Sequence, residues 1–491
     1  MTFGKFVGSS VSADAASSLK EEEEFDPHCL VGESSLAVGK NASLTLGPES
    51  VTVLEDQTTS SIPYFNVLWA DCTPDDITIN YAEPTSKDAY TVATIHYSIS
   101  QERKQKAEIW VARLMDLAYG QAQRNKRIKV LVNPFGGKGR AKTLYYNEAE
   151  PIFTAARCQI DAEETKYQGH AIEIAEKIDV DAYDVIAPCS GDGLPYEVFN
   201  GLGKKENAGE ALSKVAVAHI PCGTGNAMSW NLYGTGSVSL AAISIVKGLR
   251  TPLDLVSISQ GDRRTLSFLS QSFGIVADSD LGTENIRWMG SARFTYGFLV
   301  RLLGKTVYPC DLAVKVDIGD KESIKEHYRA ELQKQPATRT RFDPESQSST
   351  LPPLKYGTVA DPIPDDWTHI PYENLGNFYA GNMAYMAADA NFFPASLPSD
   401  GYMDLVTIAG DIGRMAAIQM MMNVERGTLF DMEDVNVRKT SAYRITPRDK
   451  DGIISVDGEK VPFEPFQAEV HQGLGTVLSK SGHLYEAKGV A

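Results

Sequence analysis

The stretch VIAPCSGDGLPYEVFNGL, residues 185–202, contains the pattern that decides the fold. It opens with an apolar run typical of a buried strand and closes with the apolar spacing of an amphipathic helix. Between them, Gly191 and Gly193 allow the backbone to approach a ligand that any Cβ would block, and they hold the carboxylate of Asp192 at the mouth of the turn. Taken alone, this Gly-Asp-Gly also fits a simple tight turn.

Two further strand-to-helix units carry a glycine loop at the corresponding place. A buried-strand pattern at 127–133 is followed by PFGGKGR at 134–140, and a β-branched run at 215–220 is followed by PCGTGNA at 221–227. The carboxyl ends of parallel strands meet at one edge of a sheet, where open α/β folds bind ligands. Three glycine loops at that edge, one with basic side chains, favour phosphate binding. Their spacing matches neither a Walker A loop nor a dinucleotide-binding loop.

Taken in order, these motifs resemble the diacylglycerol-kinase-type catalytic domain and, within it, the sphingosine kinases, also called long-chain base kinases. The resemblance covers about 125–310 and resumes from about 375 to the end. It implies an α/β nucleotide-binding domain over 125–250, and a C-terminal antiparallel β-sandwich over 251–491 that binds the lipid. The implied reaction uses ATP and Mg²⁺ to phosphorylate the primary hydroxyl of a sphingoid base (sphingosine, dihydrosphingosine or phytosphingosine), giving the 1-phosphate.

The narrower resemblance rests on FGIVADSDL at 273–281, followed by Glu284, Arg287 and Arg293. A sphingoid base carries an ammonium near its primary hydroxyl, so a carboxylate opposite that charge stabilises the bound lipid. The resemblance puts Asp280 there and assigns both arginines to nucleotide phosphates. An acidic first turn of a helix is the plainer explanation of Asp280, and solvated surface side chains are the plainer explanation of the arginines.

The resemblance also implies roles for residues on the loops. Asp192 is the candidate base for the lipid hydroxyl, with Ser190, Gly191 and Gly193 beside the substrate. The residues implied for the nucleotide are Asn133, Pro134, Phe135, Gly137, Lys138, Thr165, Ser190, Gly223, Thr224, Gly225, Arg287, Arg293, Asp457, Gly458 and Glu459. Mg²⁺ is expected to be held through ATP, with Asp457 and Glu459 as candidates for the nucleotide or metal shell.

Some of these residues have plainer explanations. Thr165 fits a helix N-cap, and the Asp457-Gly458 pair fits a hairpin turn. The chain also departs from the family at Pro195-Tyr196, where sphingosine kinases usually have a pair that ends in His. If that His matters for the reaction, its replacement weakens the functional prediction.

Other segments complete the predicted organisation. Residues 1–27 are Ser-rich and then acidic, which predicts disorder, and 28–120 contain six strand-like runs and an amphipathic helix, which predict a small β-rich module resembling a pleckstrin-homology domain. Composition at about 320–372 predicts a mobile insertion. A Met-rich helix at 414–422 suits either a lipid tail or core packing, so the tail-lining residues stay unassigned. Its candidates are Met415, Ile418, Met421 and Met422.

The composition limits the binding partners and the cellular compartment that we expect for this chain. A formal charge of −17 over 491 residues argues against nucleic acid, and no apolar run is long enough to predict a membrane span. The start lacks the apolar core of a signal peptide, and six scattered cysteines fit a reducing compartment. We therefore expect a cytoplasmic protein, peripherally associated with membranes, for which a homodimer is an option. The basic group at 124–129 fits either a membrane patch or a solvated strand edge.

Three other functions remain open on the sequence. A ceramide or diacylglycerol kinase of the same fold would leave Asp280 without an ammonium to meet. A catalytically weak scaffold that binds membrane or protein through its N-terminal module would not need intact glycine loops. An enzyme of the wider superfamily that phosphorylates NAD would explain Gly-Asp-Gly but not the segment 280–293.

Overall fold

The computed structural model describes residues 34–281, 306–334 and 349–490. Within these residues the chain forms a β-rich module, a parallel α/β region and a region of mainly antiparallel strands, in that order. The second and third regions share one continuous mixed sheet of sixteen strands. The fold is therefore mixed α/β, as the glycine-loop pattern predicts.

The N-terminal module consists of strands and one long helix. Its elements are β1 (Ser35–Val38), β2 (Ala42–Leu46), β3 (Ser50–Glu55), β4 (Thr58–Pro63), β5 (Val67–Cys72), β6 (Asp76–Ser86), β7 (Ala89–Ser98) and α1 (Lys104–Tyr119), with short 3₁₀ turns at Tyr64–Asn66 and Gln101–Arg103. Strands β1 to β4 form one antiparallel sheet, and β5 to β7 form a second. The six predicted runs omit β4, because its sequence TTSSIP lacks apolar alternation and buries only Ile62.

Helix α1 closes the module by packing its apolar face against the strands. Trp110 and Leu114, spaced four residues apart, are buried, and the indole N–H of Trp110 donates to the carbonyl of Ser34 at 3.0 Å. The strands contribute alternating side chains such as Leu36 and Leu44. Two small sheets closed by a helix agree with a β-rich module, while the likeness to a pleckstrin-homology domain stays a prediction.

The α/β region places parallel strands between helices. Its strands are β8 (Arg127–Val132), β9 (Gln159–Glu164), β10 (Val185–Ser190), β11 (Ala216–Val217) and β12 (Ile220–Pro221). Its helices are α2 (Gly136–Gly139), α3 (Ala141–Leu144), a π-helical turn at Tyr145–Ala149, α4 (Glu150–Ala155), α5 (His170–Lys177), α6 (Gly193–Gly203), α7 (Ala208–Lys214), α8 (Ala227–Tyr233) and α9 (Val238–Lys247). All six residues of β10 are buried, as expected for a strand covered on both faces. The three glycine loops follow β8, β10 and β12, so they meet at one edge of the sheet.

The C-terminal region is mainly antiparallel. Its strands are β13 (Leu249–Gln260), β14 (Arg263–Ser267), β15 (Ser270–Gly274), β16 (Cys310–Ile318), β17 (Thr368–Tyr372), β18 (Leu375–Gly381), β19 (Tyr385–Ala387), β20 (Ala390–Asn391), β21 (Met403–Ala409), β22 (Val435–Pro447), β23 (Ile454–Val456), β24 (Glu459–Val461) and β25 (Phe466–Ser479). Its helices are α10 (Ile275–Leu281), α11 (Lys321–Leu332) and α12 (Arg414–Arg426), with a 3₁₀ turn at Leu429–Asp431.

The last strand joins the two halves of the sheet. β25 pairs antiparallel with β13 and β22, and its residue Val477 also pairs in parallel with Val217 of β11. β22 pairs with β21 near its start and with β25 further along, so the antiparallel strands curve around a shared apolar core. The domain boundary predicted between residues 250 and 251 therefore falls within a single sheet, to which both the α/β region and the C-terminal region contribute strands.

The two described ends of the predicted insertion at 320–372 pack against the protein. Helix α11 begins at Lys321 after Asp320, whose carboxylate accepts the N–H of Ser323 at 2.9 Å. Further on, β17 pairs with β16, and Trp367 is buried. The remaining part of the predicted insertion, 335–348, lies outside the described residues.

Two buried lysines attach the N-terminal module to the α/β region. Lys247 at the end of α9 donates to the carbonyls of Val67 and Ala118, and its ammonium lies 3.6 Å from the ring centre of Tyr119. Lys126 donates to the carbonyl of Val246 at 2.7 Å. Burial lowers the pKa of Lys247 well below its ordinary value and that of Lys126 to about 8. Hydrogen bonds from buried lysine amines to backbone carbonyls thus hold the module against the α/β region.

Candidate functional site

A cavity of about 2380 Å³ extends from the glycine loops into the antiparallel region. Its apolar part includes Ile275, Tyr379, Phe392 and Met420, and its wall also includes 86–89, the tip of the β6–β7 hairpin. Its polar part contains many of the residues that the sequence proposed: Asn133, Phe135, Thr165, Ser190, Gly191, Asp192, Gly193, Gly223, Thr224, Gly225, Asp457, Gly458 and Glu459. Polar loops and an apolar recess thus belong to one space.

The second and third glycine loops touch each other through their backbones. A Cβ on Gly223 would lie 2.5 Å from the Cα of Gly191, so no side chain fits at that position. Asn226 closes the third loop, because its side chain accepts the N–H of Gly223 at 2.7 Å and donates to the carbonyl of Gly223 at 3.1 Å. Asn226 belongs to the sequence motif, but the motif alone does not indicate this role.

The carboxylate of Asp192 lies where these two loops meet. Its Oδ2 accepts the N–H of Ala227 at 2.9 Å, and its Oδ1 accepts the N–H of Met228 at 3.0 Å. The side chain is 16% exposed and lines the cavity. Two backbone donors from the start of α8 therefore fix the orientation of a carboxylate that still faces the open space.

The first glycine loop begins with a side-chain turn. Asn133 Oδ1 accepts the N–H of Phe135 at 3.0 Å across Pro134, which is an Asx-turn. The ring of Phe135 is 79% exposed. Gly137 and Lys138 follow in α2, and the position of the Lys138 side chain lies outside what the structure describes.

Thr165 is buried at the end of β9, not at a helix N-cap. Its N–H donates to the carbonyl of Val132 at 2.9 Å, whereas α5 begins five residues later. The start of α5 is instead held by Glu197 of α6, whose carboxylate accepts the N–H groups of Gly169 at 2.9 Å and Ala171 at 3.1 Å. Burial raises the pKa of Glu197, although these two donors act to lower it. Nothing in the local sequence links Glu197 to a turn so far upstream.

The Asp457-Gly458 pair is a hairpin turn that lies at the cavity. Val456 pairs with Glu459, and both turn residues have positive φ, 52° at Asp457 and 82° at Gly458. Glu459 Oε2 accepts the side-chain N–H of Gln168 at 3.3 Å, which links the hairpin to the turn after Thr165. The hairpin explanation is therefore correct for the local structure, and the hairpin also forms part of the cavity wall.

The carboxylate of Asp457 points into the protein. The side chain is buried, and burial raises its pKa to about 6 even though every nearby donor acts to lower it. The donors are Ser267 Oγ at 2.6 Å and the N–H groups of Phe268 at 2.9 Å, Leu269 at 3.0 Å and Ser270 at 2.9 Å. These four hydrogen bonds tie the hairpin to the start of β15 and occupy the oxygens that a metal ion would need.

The described residues give Mg²⁺ no ligand set of their own. No group of three His, Cys, Asp or Glu side chains suited to a metal occurs among them. Of the three carboxylates predicted near the nucleotide end, Asp457 is saturated by buried donors, whereas Asp192 and Glu459 line the cavity. Among the described residues alone, these side chains do not form a resident metal site.

Besides Lys138, three predicted site residues have side chains that the structure does not describe. Asp280 belongs to α10, but its side chain lies outside the described residues. Arg287 and Arg293 fall in the segment 282–305, which lies outside them altogether. The proposed ammonium partner and the two proposed phosphate ligands therefore remain predictions.

The apolar part of the cavity is built partly by α12. Ala417, Met420, Met421 and Val424 line it, at the spacing of one helical face. Of the four candidates from the sequence, only Met421 belongs to this face, while Met415 is 78% exposed. Since both stripes have helical spacing, the periodicity alone could not choose between them.

Most of the basic group at 124–129 is paired with carboxylates that are partly exposed. Arg127 pairs with Asp184 at 2.8 Å, and Lys129 pairs with Asp161 at 3.0 Å and with Glu163 at 2.8 Å. Arg127 and Lys129 are therefore paired within the fold, whereas the amine of Lys126 meets carbonyls. No helix in the described part of the chain is both long enough and apolar enough to cross a bilayer.

Comparison with known proteins adds independent information. The profile of the Diacylglycerol kinase catalytic domain matches residues 127–258, and that of a domain of unknown function, DUF7493, matches 54–120. A crystal structure of a Bacillus anthracis str. Sterne protein described as a diacylglycerol kinase has a TM-score of 0.50 at 20% identity, covering 72% of this chain and 97% of that one. This likeness concerns the fold alone.

Three curated relatives are similar over most of the chain. Sphingoid long chain base kinase 4 of Schizosaccharomyces pombe is 34% identical, covering 88% of this chain and 90% of the relative. Sphingoid long chain base kinase 5 of Saccharomyces cerevisiae is 37% identical over 77% of this chain, but the match spans only 62% of that relative's length. Sphingosine kinase 1 of Arabidopsis thaliana is 32% identical, covering 72% and 76% of the two chains.

Proposed function

The chain belongs to the sphingoid long-chain base kinase family of lipid kinases, and we propose that it transfers the γ-phosphoryl group of ATP to the primary hydroxyl of a sphingoid base, giving the 1-phosphate. One observation carries the proposal. A fixed carboxylate, that of Asp192, faces a cavity with glycine loops at one end and an apolar recess at the other. A nucleotide and a lipid can therefore meet at that carboxylate.

Asp192 is proposed as the general base. The N–H groups of Ala227 and Met228 each occupy one lone pair of its carboxylate, which leaves acceptor capacity toward the cavity. A hydroxyl placed there gives up its proton to the carboxylate as its oxygen attacks phosphorus. Positioning matters here as much as basicity, and the two backbone donors supply it.

The glycine loops are proposed to bind the phosphates. Gly191 and Gly223 bring two backbones within contact of each other beside Asp192, so backbone rather than side chains lines the cavity at this point. When bound to ATP, Mg²⁺ neutralises charge on the β- and γ-phosphate oxygens. Within this arrangement Asp457 has a positioning role, because its carboxylate holds Gly458 and Glu459 at the cavity wall.

Asp280 is proposed to select the lipid by facing its ammonium, and Arg287 and Arg293 to bind phosphate oxygens. The alternative substrates, ceramide and diacylglycerol, lack an ammonium and would gain nothing from Asp280. The names of the curated relatives support the sphingoid base, since all three refer to sphingoid or sphingosine substrates. We also propose that the protein acts at membrane surfaces from the cytoplasm, where its lipid substrate lies.

Phosphate transfer from ATP to sphingosine, ceramide and diacylglycerol tests the proposal directly. We expect sphingosine to be preferred, and Asp192→Asn to lower kcat by about 10²-fold or more, because the amide cannot accept the hydroxyl proton. Asp280→Asn should raise the KM for sphingosine and leave kcat largely intact.

Asp389→Asn is the matched control, since Asp389 is an exposed carboxylate on the same cavity. It should keep near-normal turnover. Normal turnover by Asp192→Asn would show that Asp192 is not the general base. Equal rates on the three lipids would contradict a sphingoid base as the preferred substrate.

A further inference from the structure

A buried histidine lies directly behind Asp192. His219 sits between β11 and β12 with its side chain fully buried, and its backbone N–H donates to the hydroxyl of Tyr233 at 3.3 Å. Its ring nitrogen Nε2 is 3.0 Å from the carbonyl oxygen of Ser190, and Nδ1 is 3.9 Å from Asp192 Oδ1. The ring therefore contacts both ends of the Ser190–Asp192 turn, the carbonyl of Ser190 and the carboxylate of Asp192.

The contacts of the ring define its tautomer. A carbonyl oxygen can only accept, so the 3.0 Å contact with Ser190 requires the proton to be on Nε2. In the neutral ring, Nδ1 then carries a lone pair. Among the described residues, Nδ1 has no hydrogen-bond partner, although it is fully enclosed. A buried acceptor without a donor is unusual, and the group it faces is the proposed base.

The surroundings favour the neutral ring. Burial lowers the pKa of His219, while the carboxylate of Asp192 and the carbonyl of Ser190 act in the opposite direction. In the resting state, a lone pair on Nδ1 and an oxygen of Asp192 thus face each other without a proton between them. The pair becomes complementary only when Asp192 gains a proton.

We propose that His219 is a positioning residue that acts through Asp192, by accepting a hydrogen bond from its carboxyl group once that group has taken the proton of the lipid hydroxyl. This inference rests on the proposed function. The distance of 3.9 Å must shorten by about 1 Å to reach hydrogen-bond length when the carboxyl group is protonated. His219 thereby stabilises the protonated base without touching the substrate.

The step balances without any further reactant. The O–H bond of the lipid breaks and an O–H bond forms at Asp192 Oδ1, with the electron pair left on the lipid oxygen. That oxygen bonds to the γ-phosphorus as the bond to the ADP oxygen breaks, and ADP takes that electron pair. After the products leave, the proton passes from Asp192 to water.

Two substitutions separate this role from a purely structural one. His219→Gln keeps a donor in reach of the Ser190 carbonyl but removes the acceptor next to Asp192. His219→Asn places an amide oxygen near the position of Nδ1 but loses the donor to Ser190. We measure kcat and KM with sphingosine and ATP for both variants, for Asp192→Asn and for the double variant of Asp192→Asn with His219→Gln.

If His219 acts through Asp192, His219→Gln lowers kcat about tenfold with KM unchanged, and His219→Asn retains more of the kcat. In the Asp192→Asn background, His219→Gln then has no further effect. A structural role predicts the reverse order, with Asn the more damaging substitution.

Normal kcat in His219→Gln, or a larger loss in His219→Asn, overturns the inference. Normal turnover by Asp192→Asn instead overturns the proposed function, so the two failures are distinguishable. Should His219→Gln fail to fold, ¹⁵N chemical shifts of the wild-type imidazole decide the question: a proton on Nδ1 in the resting enzyme contradicts the role.

Discussion

Two buried lysines differ in the charge of the groups around them. Lys247 lies at the junction with the N-terminal module, and Lys439 lies in the antiparallel region. Lys247 contacts two carbonyls and the ring of Tyr119. Lys439 is fully buried between Asp400 at 2.9 Å and Asp404 at 3.3 Å. Burial acts to lower the pKa of Lys439, but the two carboxylates outweigh it and raise the value above the ordinary one.

The difference shows that burial alone does not determine what a charged side chain contributes. In the C-terminal region, one cation and two anions depend on each other, so losing the cation leaves two buried charges. At the module junction, losing the amine leaves only two carbonyls without a donor. The first arrangement is therefore more sensitive to substitution than the second.

The largest effect is expected from Lys439→Met. Removing the cation leaves Asp400 with His327 and Asp404 with the hydroxyl of Ser396 as their remaining partners, and this should lower the free energy of unfolding by about 3–5 kcal/mol. Urea denaturation measures the change. Combining Lys439→Met with Asp400→Asn and Asp404→Asn should recover part of the loss, and failure to recover any would show that packing rather than charge dominates.

A smaller loss, about 1–3 kcal/mol, is expected from Lys247→Met. It breaks the hydrogen bonds to Val67 and Ala118 but also removes the penalty of burying an amine. The same denaturation experiment applies, with Lys204→Met as a control on a loop at the end of α6. A loss as large as that of Lys439→Met would contradict the distinction drawn between the two regions.

The smallest effect concerns pH. Lys126 has a pKa of about 8 in the folded protein, below its ordinary value of 10.5. Between these values the unfolded chain binds more protons than the folded one, so this group makes stability rise with pH. From pH 8 to 9, wild type should therefore gain about 1 kcal/mol relative to Lys126→Met. Parallel curves for the two proteins would show that Lys126 keeps an ordinary pKa.

Local patterns in the sequence predicted the sheet edge correctly. The runs before Ser190 and Pro221 are short and apolar, which is typical of buried strands. Glycine is required after them where two backbones touch, because at Gly223 no side chain would fit. Because each loop follows its own strand, the order of the motifs was enough to bring them together. Strand β4 lacks such a pattern, and the sequence did not reveal it.

Contacts between distant segments could not be predicted in this way. The carboxylate of Asp457 is directed inward by donors at 267–270, about 190 residues earlier in the chain. The imidazole of His219 acquires its relation to Asp192 only when two parallel strands align. A residue type in a motif therefore indicated a place in the fold, but not the direction in which its side chain points.

The β6–β7 hairpin tip at 86–89 has a consequence for inhibitor selectivity. These residues form part of the cavity wall, yet they lie outside the catalytic-domain match at 127–258 and inside the separate match at 54–120. A compound that extends from the glycine loops to the hairpin would contact both parts of the chain. Such a compound would discriminate against lipid kinases that share the catalytic domain but carry no hairpin at this position.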